Sequence, residues 1–195
     1  MKTTLLKAFE ESVSTKQKII QDNVLLEKIE LLTNKIIQCY QNNGKVLWCG
    51  NGGSAADAQH LAAELSGRFY YDRQPLYSEA LHVNTSYITA VANDYSYDEI
   101  FARLVKAMIQ PQDILIGLST SGNSKNVINA LIEAKNKGAY TVGFTGETGG
   151  KMKDYVDLLI NVPSKDTPRI QEAHMMIGHT VCQLVEQILF PKNEK

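Results

Sequence analysis

One short stretch of the chain, CGNGGSAADAQHLAAE (residues 49–64), contains residue types suited to two kinds of chemistry. Its first half has Gly50, Gly52 and Gly53 after an apolar run, and glycines let the backbone turn tightly and approach a ligand closely. Ser54 is a good N-cap for the helix that we expect to follow. Because a helix N-terminus attracts anions, this half predicts a phosphate-binding loop. An ordinary strand-to-helix turn with an N-cap is the alternative.

The second half places His60 and Glu64 four residues apart, on one face of the same helix. Nitrogen and oxygen donors at this spacing suit a zinc ion or the transfer of a proton. The solvated face of an amphipathic helix would give the same spacing. Two more candidates, Gln171 and His179, are eight residues apart and lean to the same side of a C-terminal helix. His174, on another part of that helix, is predicted to be an exposed or capping histidine.

A second candidate phosphate loop is STSGNS, residues 119–124. It follows another apolar run, has four hydroxyls in six residues and opens a helix. Hydroxyls and backbone amides can hold a phosphate without a lysine. Two such loops favour a ligand over two ordinary turns. Asn93 and Asp94 either contact sugar hydroxyls or form a capping turn, and His82, in a weak strand, is predicted to be exposed or capping.

Neither common nucleotide-binding motif is convincing. Residues 50–55 fit G-x-G-x-x-A, but a dinucleotide site also needs an acidic residue at the end of the next strand. Here that region, GRFYYDRQPLYSE, is polar and broken by Pro75, and the next strand opens with Glu79. The P-loop pattern G-x-x-x-x-G-K-[ST] does not occur.

The elements that must position these residues begin with a helical pattern. Apolar residues recur every three or four positions between residues 5 and 40. Asp22 and Asn23 interrupt the pattern and can cap a second helix, which ends at residues 42–44. We therefore expect a pair of amphipathic helices over residues 1–43.

The rest of the chain alternates short apolar runs with helical stretches. One helix is predicted after the third run, with Gly138 as its C-cap, and another over residues 168–190, with Pro168 in its first turn. The runs predict five strands, at residues 45–49, 79–83, 113–118, 140–144 and 157–162.

Strands that alternate with helices imply βαβ units and a parallel sheet covered on both faces. We therefore predict a three-layer α/β/α sandwich with a five-stranded parallel sheet. It forms one domain of residues 1–195, in which the α/β core spans residues 44–190 behind the N-terminal helical pair. Ligands in such folds bind beyond the carboxyl ends of the strands, and both candidate loops fall at that edge.

Composition narrows the class of protein. The chain has 195 residues, 44% of them hydrophobic, which suits one domain with a sizeable core. With a net charge of −1, a pI of about 6.4 and no basic cluster, we expect no nucleic-acid partner. We expect no membrane span, since no run approaches the roughly 18 apolar residues required, and no signal peptide, since Lys7, Glu10 and Glu11 interrupt the N-terminal apolar residues. Cys39, Cys49 and Cys182 are odd in number and widely spaced, so we expect buried thiols in a cytoplasmic protein.

Four segments resemble the phosphoheptose isomerases, the sedoheptulose 7-phosphate isomerase branch of the sugar isomerase (SIS) domain family. They are CGNGGSAADAQHLAAEL, TAVANDY, GLSTSGNSKNV and VPSKDTPRIQEAHMMIGH, in this order and spacing. The similarity runs from about residue 5 to residue 190. The serine-rich loop marks SIS domains generally, and its combination with His60, Glu64, Gln171 and His179 marks the isomerase branch.

The resemblance implies a flavodoxin-like SIS sandwich and a homotetramer with active sites between subunits, which would cover apolar surface on the first two helices. It implies conversion of sedoheptulose 7-phosphate to D-glycero-D-manno-heptose 7-phosphate through an enediol, for lipopolysaccharide or a capsule. Glu64 would be the base and His179 the acid. One zinc ion per subunit would be bound by His60, Glu64, Gln171 and His179. The implied substrate contacts are Asn51, Gly52, Gly53, Ser54, Glu64, Asn93, Asp94, Ser119, Thr120, Ser121, Ser124 and Gln171.

Several alternatives stay open. A non-catalytic SIS protein of the replication-initiator-associating type resembles this chain in both loops, but it lacks the acid at position 64 and the histidine at position 179. A regulatory SIS domain that binds a sugar phosphate is a second alternative, and an isomerase of another sugar phosphate is a third. Residues 69–80 are expected to shape the substrate end. Glu64 cannot easily be a tight metal ligand and a free base at once.

Overall fold

The computed structural model describes residues 1–192, which form seven α-helices and five strands. In chain order the elements are α1 (Lys2–Gln21), α2 (Asn23–Gln41), β1 (Val46–Gly50), α3 (Gly53–Ser66), β2 (Ser78–Ala80), α4 (Thr85–Asp94), α5 (Ile100–Met108), β3 (Ile114–Leu118), α6 (Lys125–Asn136), β4 (Tyr140–Thr145), β5 (Leu158–Asn161) and α7 (Thr167–Leu189). Short 3₁₀ turns lie at Tyr97–Glu99 and Met152–Asp154. The five predicted strands are all present.

The strands form one parallel sheet in the order β2–β1–β3–β4–β5, which confirms the predicted sheet. Trp48 on β1 lies opposite Ile116 on β3, and Ile116 lies opposite Val142 on β4. Because β1 pairs with β2 on one side and β3 on the other, the connections diverge from β1 in opposite directions. A crevice forms at the carboxyl ends of strands where the order reverses in this way.

Helices cover both faces of the sheet, so β1 and β3 are buried along their whole length. Successive side chains along each strand point to opposite faces of the sheet. Trp48 and Ile116 join the core that contains α2, α3 and α7, while Leu47 and Leu115 join the core that contains α5 and α6. This is the three-layer sandwich that the alternation of strands and helices predicted.

The N-terminal helices form the predicted pair. Asp22 joins them and caps α2, since its carboxylate accepts a hydrogen bond from the Leu25 N–H at 3.0 Å. Whereas α2 buries one face in the core, α1 exposes large apolar side chains, including those of Leu5, Phe9, Val13 and Ile20. Exposed apolar side chains grouped on one helix are typical of an interaction surface. Despite this face, none of the described helices has the length and apolar character needed to cross a bilayer.

The second strand is shorter than predicted. β2 spans Ser78–Ala80, because only three residues of β1 pair with it. His82 therefore lies beyond the strand, where it is partly buried, and its Nδ1 has no hydrogen-bond partner among the described residues. Burial lowers the pKa of His82. The expectation that His82 is exposed or capping is wrong.

The predicted end of α6 is displaced by one residue, and the predicted start of α7 and the three buried thiols are found. Gly138 has a φ of 80° and directly follows the C-cap of α6, Lys137. A glycine takes this left-handed conformation at little cost, so it ends the helix one position beyond the cap. Pro168 lies in the first turn of α7 as predicted. The three cysteines are buried and free of disulfides.

His174 is fully buried on α7, and the prediction of an exposed or capping histidine is wrong. Its Nε2 lies 3.1 Å from the carbonyl oxygen of Thr145, and its ring meets that of Phe144 edge to face. Polar sequence neighbours suggested exposure, but His174 shares a helix face with Ala173 and Ile177, and that face packs on the sheet. Burial lowers the pKa of His174 from 6.5 to about 4, although the hydrogen bond to Thr145 opposes the shift.

We expect His174 to make the fold sensitive to acid. Below pH 6.5 the unfolded chain binds a proton that the folded chain excludes, so the free energy of unfolding falls as the pH drops from 6.5 to about 4. The loss should reach about 3 kcal/mol at the lower end. His174→Gln keeps a hydrogen-bond donor and does not titrate, so urea unfolding of this variant should show a shallower pH dependence. Equal slopes for the variant and the wild type would contradict the assignment.

Candidate active site

The glycine loop, residues 50–54, joins β1 to α3 at the carboxyl edge of the sheet. A Cβ on Gly50 would lie 2.5 Å from the carbonyl oxygen of Ser54, and Gly52 has a φ of 56°, so both positions favour glycine. Gly52 is the N-cap of α3, whereas Ser54 is already inside the helix and buried. The predicted capping role of Ser54 is therefore wrong. No described side chain caps α3, which leaves the helix N-terminus to attract an anion.

The serine loop, residues 119–124, joins β3 to α6 at the same edge. The hydroxyls of Ser119 and Ser124 are 2.9 Å apart and close the loop on itself. A Cβ on Gly122 would overlap the carbonyl oxygen of Gly149, so the loop packs tightly against the segment after β4. The Lys151 N–H also donates to the Asn123 side chain at 3.1 Å. These contacts hold the loop hydroxyls in a fixed arrangement.

A pair of side-chain amides links the glycine loop to the first turn of α6, directly after the serine loop. Asn51 Nδ2 donates to Asn126 Oδ1 at 2.8 Å, and Asn126 Nδ2 donates back to Asn51 Oδ1 at 2.9 Å. The Tyr97 hydroxyl also donates to Asn51 Oδ1, at 3.0 Å. Asn126 is buried in the first turn of α6 and was missed from the sequence, where an asparagine beside STSGNS gave no separate signal. Both side-chain atoms of Asn51 are therefore already hydrogen-bonded, and its contact with substrate stays a prediction.

His60, Glu64 and His179 meet where α3 crosses α7. His60 Nε2 lies 2.9 Å from Glu64 Oε1 and 3.2 Å from His179 Nε2. One ligand atom from each residue lies within 4.8 Å of the other two. The pKa of His179 is lowered by burial and by His60, against the opposing effect of Glu64. A neutral imidazole keeps a lone pair, so the cluster can bind a cation or exchange protons.

Close packing of α3 on α7 makes this cluster possible. A Cβ on Gly178 would lie 2.5 Å from both terminal carbons of Leu61, which is fully buried. Only glycine at position 178 permits this approach. Glu64 lies one turn after Leu61 on α3, and His179 directly follows Gly178 on α7, so the contact brings these two side chains towards each other. Phe69 packs on His179 from the other side, with ring centroids 5.6 Å apart.

Gln171 lies against the glycine loop. A Cβ on Gly53 would overlap Gln171 Nε2, so the amide covers the start of α3. This location suits its predicted contact with substrate, while its place among the metal ligands stays a prediction. Asn93 and Asp94 lie at the exposed end of α4, where Asn93 Nδ2 donates to Asp94 Oδ1 at 2.9 Å. Their contacts with substrate also stay a prediction.

The sequence also gave no role to Asp57, one turn before His60 on α3. Burial raises the pKa of Asp57 to about 6, and the charge of His60 acts against that rise. Its Oδ2 is buried without a hydrogen-bond partner in residues 1–192. The sequence signal for Asp57 was its position three residues before His60, which places both side chains on one face of the helix. Asp57, His60 and Glu64 thus form a set of three polar side chains on this face of α3.

A family model, a related sequence and two solved structures all point to the same protein family. The family model of the SIS domain matches residues 8–146. The chain is 52% identical over 181 residues to the phosphoheptose isomerase of Aneurinibacillus thermoaerophilus, a match that covers 93% of this chain and 91% of the relative.

Two solved structures have the same fold over nearly the whole chain. The phosphoheptose isomerase GmhA from Neisseria gonorrhoeae has a TM-score of 0.90 and 40% identity, and the match covers 95% of this chain and 98% of that one. A phosphoheptose isomerase from Francisella tularensis has a TM-score of 0.91 and 35% identity, with 95% and 97% covered.

We expect Gly178→Ala to push α3 and α7 apart. The added methyl would overlap Leu61, and overpacking of this kind costs about 1–3 kcal/mol in the free energy of unfolding. Thermal or urea unfolding measures this loss. Gly178→Ala combined with Leu61→Ala serves as the control, since it removes the overlapping carbons and should relieve the clash. A Gly178→Ala protein as stable as the wild type, with the cluster distances unchanged in a crystal structure, would contradict the packing argument.

Proposed function

The chain belongs to the phosphoheptose isomerases of the SIS domain family, and from this membership we infer that it converts sedoheptulose 7-phosphate to D-glycero-D-manno-heptose 7-phosphate. The observation that carries the inference is the meeting of His60, Glu64 and His179 on α3 and α7, in a fold that has two phosphate-type loops at the carboxyl edge of its sheet. Aldose–ketose isomerisation needs a carbon base, an acid for the oxygens and an anchor for the phosphate. The described residues include candidates for all three: Glu64, His179 and the serine loop.

The phosphate is proposed to bind at the serine loop and the N-terminus of α6. Ser119, Thr120, Ser121 and Ser124 supply hydroxyls there, and the N-cap residue of α6, Ser124, makes no side-chain capping hydrogen bond. Backbone amides and the helix dipole favour an anion at that point. The sugar then extends towards the glycine loop, Gln171 and the histidine cluster. Asn93 and Asp94 are the further proposed sugar contacts.

The isomerisation transfers two protons. Glu64 takes a proton from C1 of the open-chain ketose, and the electron pair left behind forms the C1=C2 bond of a cis-enediol. His179 donates a proton to the C2 oxygen as that bond forms. The C1 hydroxyl then gives its proton to His179, which restores the acid, while Glu64 returns a proton to C2, and the product has the aldehyde at C1. Each step needs its group within hydrogen-bond reach of the reacting atom, as this compact cluster would allow.

A zinc ion fits the donor set. Two imidazole nitrogens and a carboxylate oxygen, one from each cluster residue, lie within 4.8 Å of one another, and zinc accepts donors of these types. We propose that His60, Glu64 and His179 would hold one zinc ion per subunit, with Gln171 as the fourth ligand. When bound, the ion would act as a Lewis acid on the substrate oxygens.

The two oxygens of Glu64 offer a way to divide its roles. Oε1 faces His60 at 2.9 Å, on the side of the proposed ion. Oε2 makes no hydrogen bond with any described residue and is the oxygen that we assign to proton transfer. One carboxylate can then serve both as a ligand and as the base.

The assembly, pathway and location are proposed on the same basis. The exposed apolar face of α1 is suited to contact with further copies of the chain, and we propose a homotetramer with active sites between subunits. The product would enter heptose synthesis for lipopolysaccharide or a capsule. A cytoplasmic location agrees with three buried, free thiols.

The alternative functions are less favoured. The replication-initiator-associating type was distinguished by the absence of an acid and a histidine, and this chain has both Glu64 and His179 in one cluster. The relatives at 35–52% identity described above are named phosphoheptose isomerases, which also disfavours an isomerase of another sugar phosphate.

Glu64→Gln is expected to lower kcat by about 10³-fold, because a carboxamide cannot accept the C1 proton. Binding of sedoheptulose 7-phosphate should change by only a few-fold, since the phosphate loop is untouched. An NMR assay of product formation and titration calorimetry measure the two effects, with bound metal determined in parallel.

Glu133→Gln on α6 is the matched control, because it removes a carboxylate outside the cluster and should leave kcat unchanged. Turnover by Glu64→Gln within tenfold of the wild-type rate would exclude Glu64 as the base.

Removal of metal is expected to abolish most activity. Dialysis against a chelator should lower kcat, and one equivalent of zinc per subunit should restore it. His60→Ala should weaken zinc binding at least about tenfold, because one of the three clustered donors is lost. His82→Ala, which removes a histidine outside the cluster, should not. Full activity in the chelator, with no zinc bound, would contradict the proposed metal site.

A further inference from the structure

An ion pair between Arg73 and Glu186 is buried next to the catalytic cluster. The side chains are only 2% and 1% exposed, and Arg73 Nε donates to Glu186 Oε2 at 3.1 Å. Arg73 lies in the segment after α3 that was expected to shape the substrate end, and Glu186 lies in the last turn of α7. The pair therefore joins the two helices that carry Glu64 and His179.

Arg73 caps the end of α3 at the residue that bears the proposed base. Its Nη2 donates to the backbone carbonyl of Glu64 at 2.9 Å, and its Nη1 donates to the carbonyl of Leu65 at 2.8 Å. The last carbonyls of a helix have no partner within the helix. The rigid fork of the guanidinium thus fixes the backbone of the turn that carries Glu64.

Glu186 fixes the segment that packs on His179. Its Oε2 accepts the Phe69 N–H at 2.9 Å, and its Oε1 accepts the Tyr70 N–H at 2.7 Å. Burial alone would raise the pKa of Glu186, but these two bonds and Arg73 outweigh it and lower the pKa, so the carboxylate is ionised. Phe69, held in this way, lies on the ring of His179.

We propose that Arg73 and Glu186 are positioning residues that hold the carboxylate of Glu64 and the imidazole of His179 at their working separation. This rests on the proposed isomerase function, because it assigns the pair to that same site. A displacement of about 1 Å in a reacting group can lower a rate by about 10²-fold. The phosphate loops lie on other turns, so loss of the pair should lower kcat far more than it raises KM.

A stability role must be separated from a positioning role. Removal of one partner would leave a buried charge and destabilise the fold, whereas replacement of both by apolar side chains of similar size is often neutral. Arg73→Met with Glu186→Leu is therefore the informative variant. It removes the bonds to Glu64, Leu65, Phe69 and Tyr70 without leaving a charge.

The chain offers a closely matched control. Lys45 and Asp113 form another buried ion pair, in which Asp113 also accepts two backbone N–H groups, from Lys45 and Gln110. This pair lies just before β1 and β3, and its hydrogen bonds join residues 45, 110 and 113, none of which belongs to α3 or α7. Lys45→Met with Asp113→Leu thus removes a comparable ion pair without removing any hydrogen bond to α3, to α7 or to the segment that holds Phe69.

We expect the Arg73/Glu186 double variant, with normal circular dichroism, to lose about 10- to 100-fold in kcat while KM changes by less than about threefold. The Lys45/Asp113 double variant should keep kcat within about twofold. Hydrogen–deuterium exchange gives a readout that does not depend on turnover: residues 61–70 should exchange faster in the first variant and not in the second.

Unchanged kcat and unchanged exchange in a folded Arg73/Glu186 variant would overturn the proposal, as would an equal loss of kcat in the control. If the double variant does not fold, Arg73→Lys decides the question, because it keeps the charge but loses the fork. It should also lower kcat with little change in KM, and a wild-type kcat would overturn the proposal. A wild-type protein that does not isomerise sedoheptulose 7-phosphate would refute the proposed function instead, and the exchange data would still test the anchoring.

Discussion

The close crossing of α3 and α7 is the contact on which the site depends. Gly178 lets Leu61 pack directly on the α7 backbone, and this approach brings His60 within 3.2 Å of His179. Neither helix alone carries a complete set of acid, base and ligand atoms. The hydrophobic core therefore does more than stabilise the fold, because the separation of the two packed helices sets the distance between His60 and His179.

The sheet places the phosphate loops at the same edge. β1 is flanked by β2 and β3, so the loops that follow β1 and β3 face each other across the reversal in strand order. Reciprocal hydrogen bonds between Asn51 and Asn126 tie these loops together. We propose that a small phosphorylated sugar is bound by its anionic end at one of these loops while its carbonyl end extends towards the helix crossing.

The sequence predicted the elements and the cluster better than it predicted individual contacts. Strand runs and the spacing of His60 and Glu64 are local signals, and they led to the correct sheet and helix face. Burial depends on distant packing, so His174 was misassigned as exposed. The start of a helix depends on backbone geometry, so Ser54 was misassigned as a cap. Arg73 gave no signal because its partner is 113 residues away in the chain.

The central claim is that Glu64 and His179 move hydrogen on a substrate whose phosphate is held by the serine loop. Proton NMR of sedoheptulose 7-phosphate with the zinc-loaded enzyme in heavy water tests it most directly. The account expects loss of the C1 proton signal and appearance of the aldose with deuterium at C2. Neither exchange at C1 nor formation of the aldose, in a folded protein with zinc bound, would contradict it.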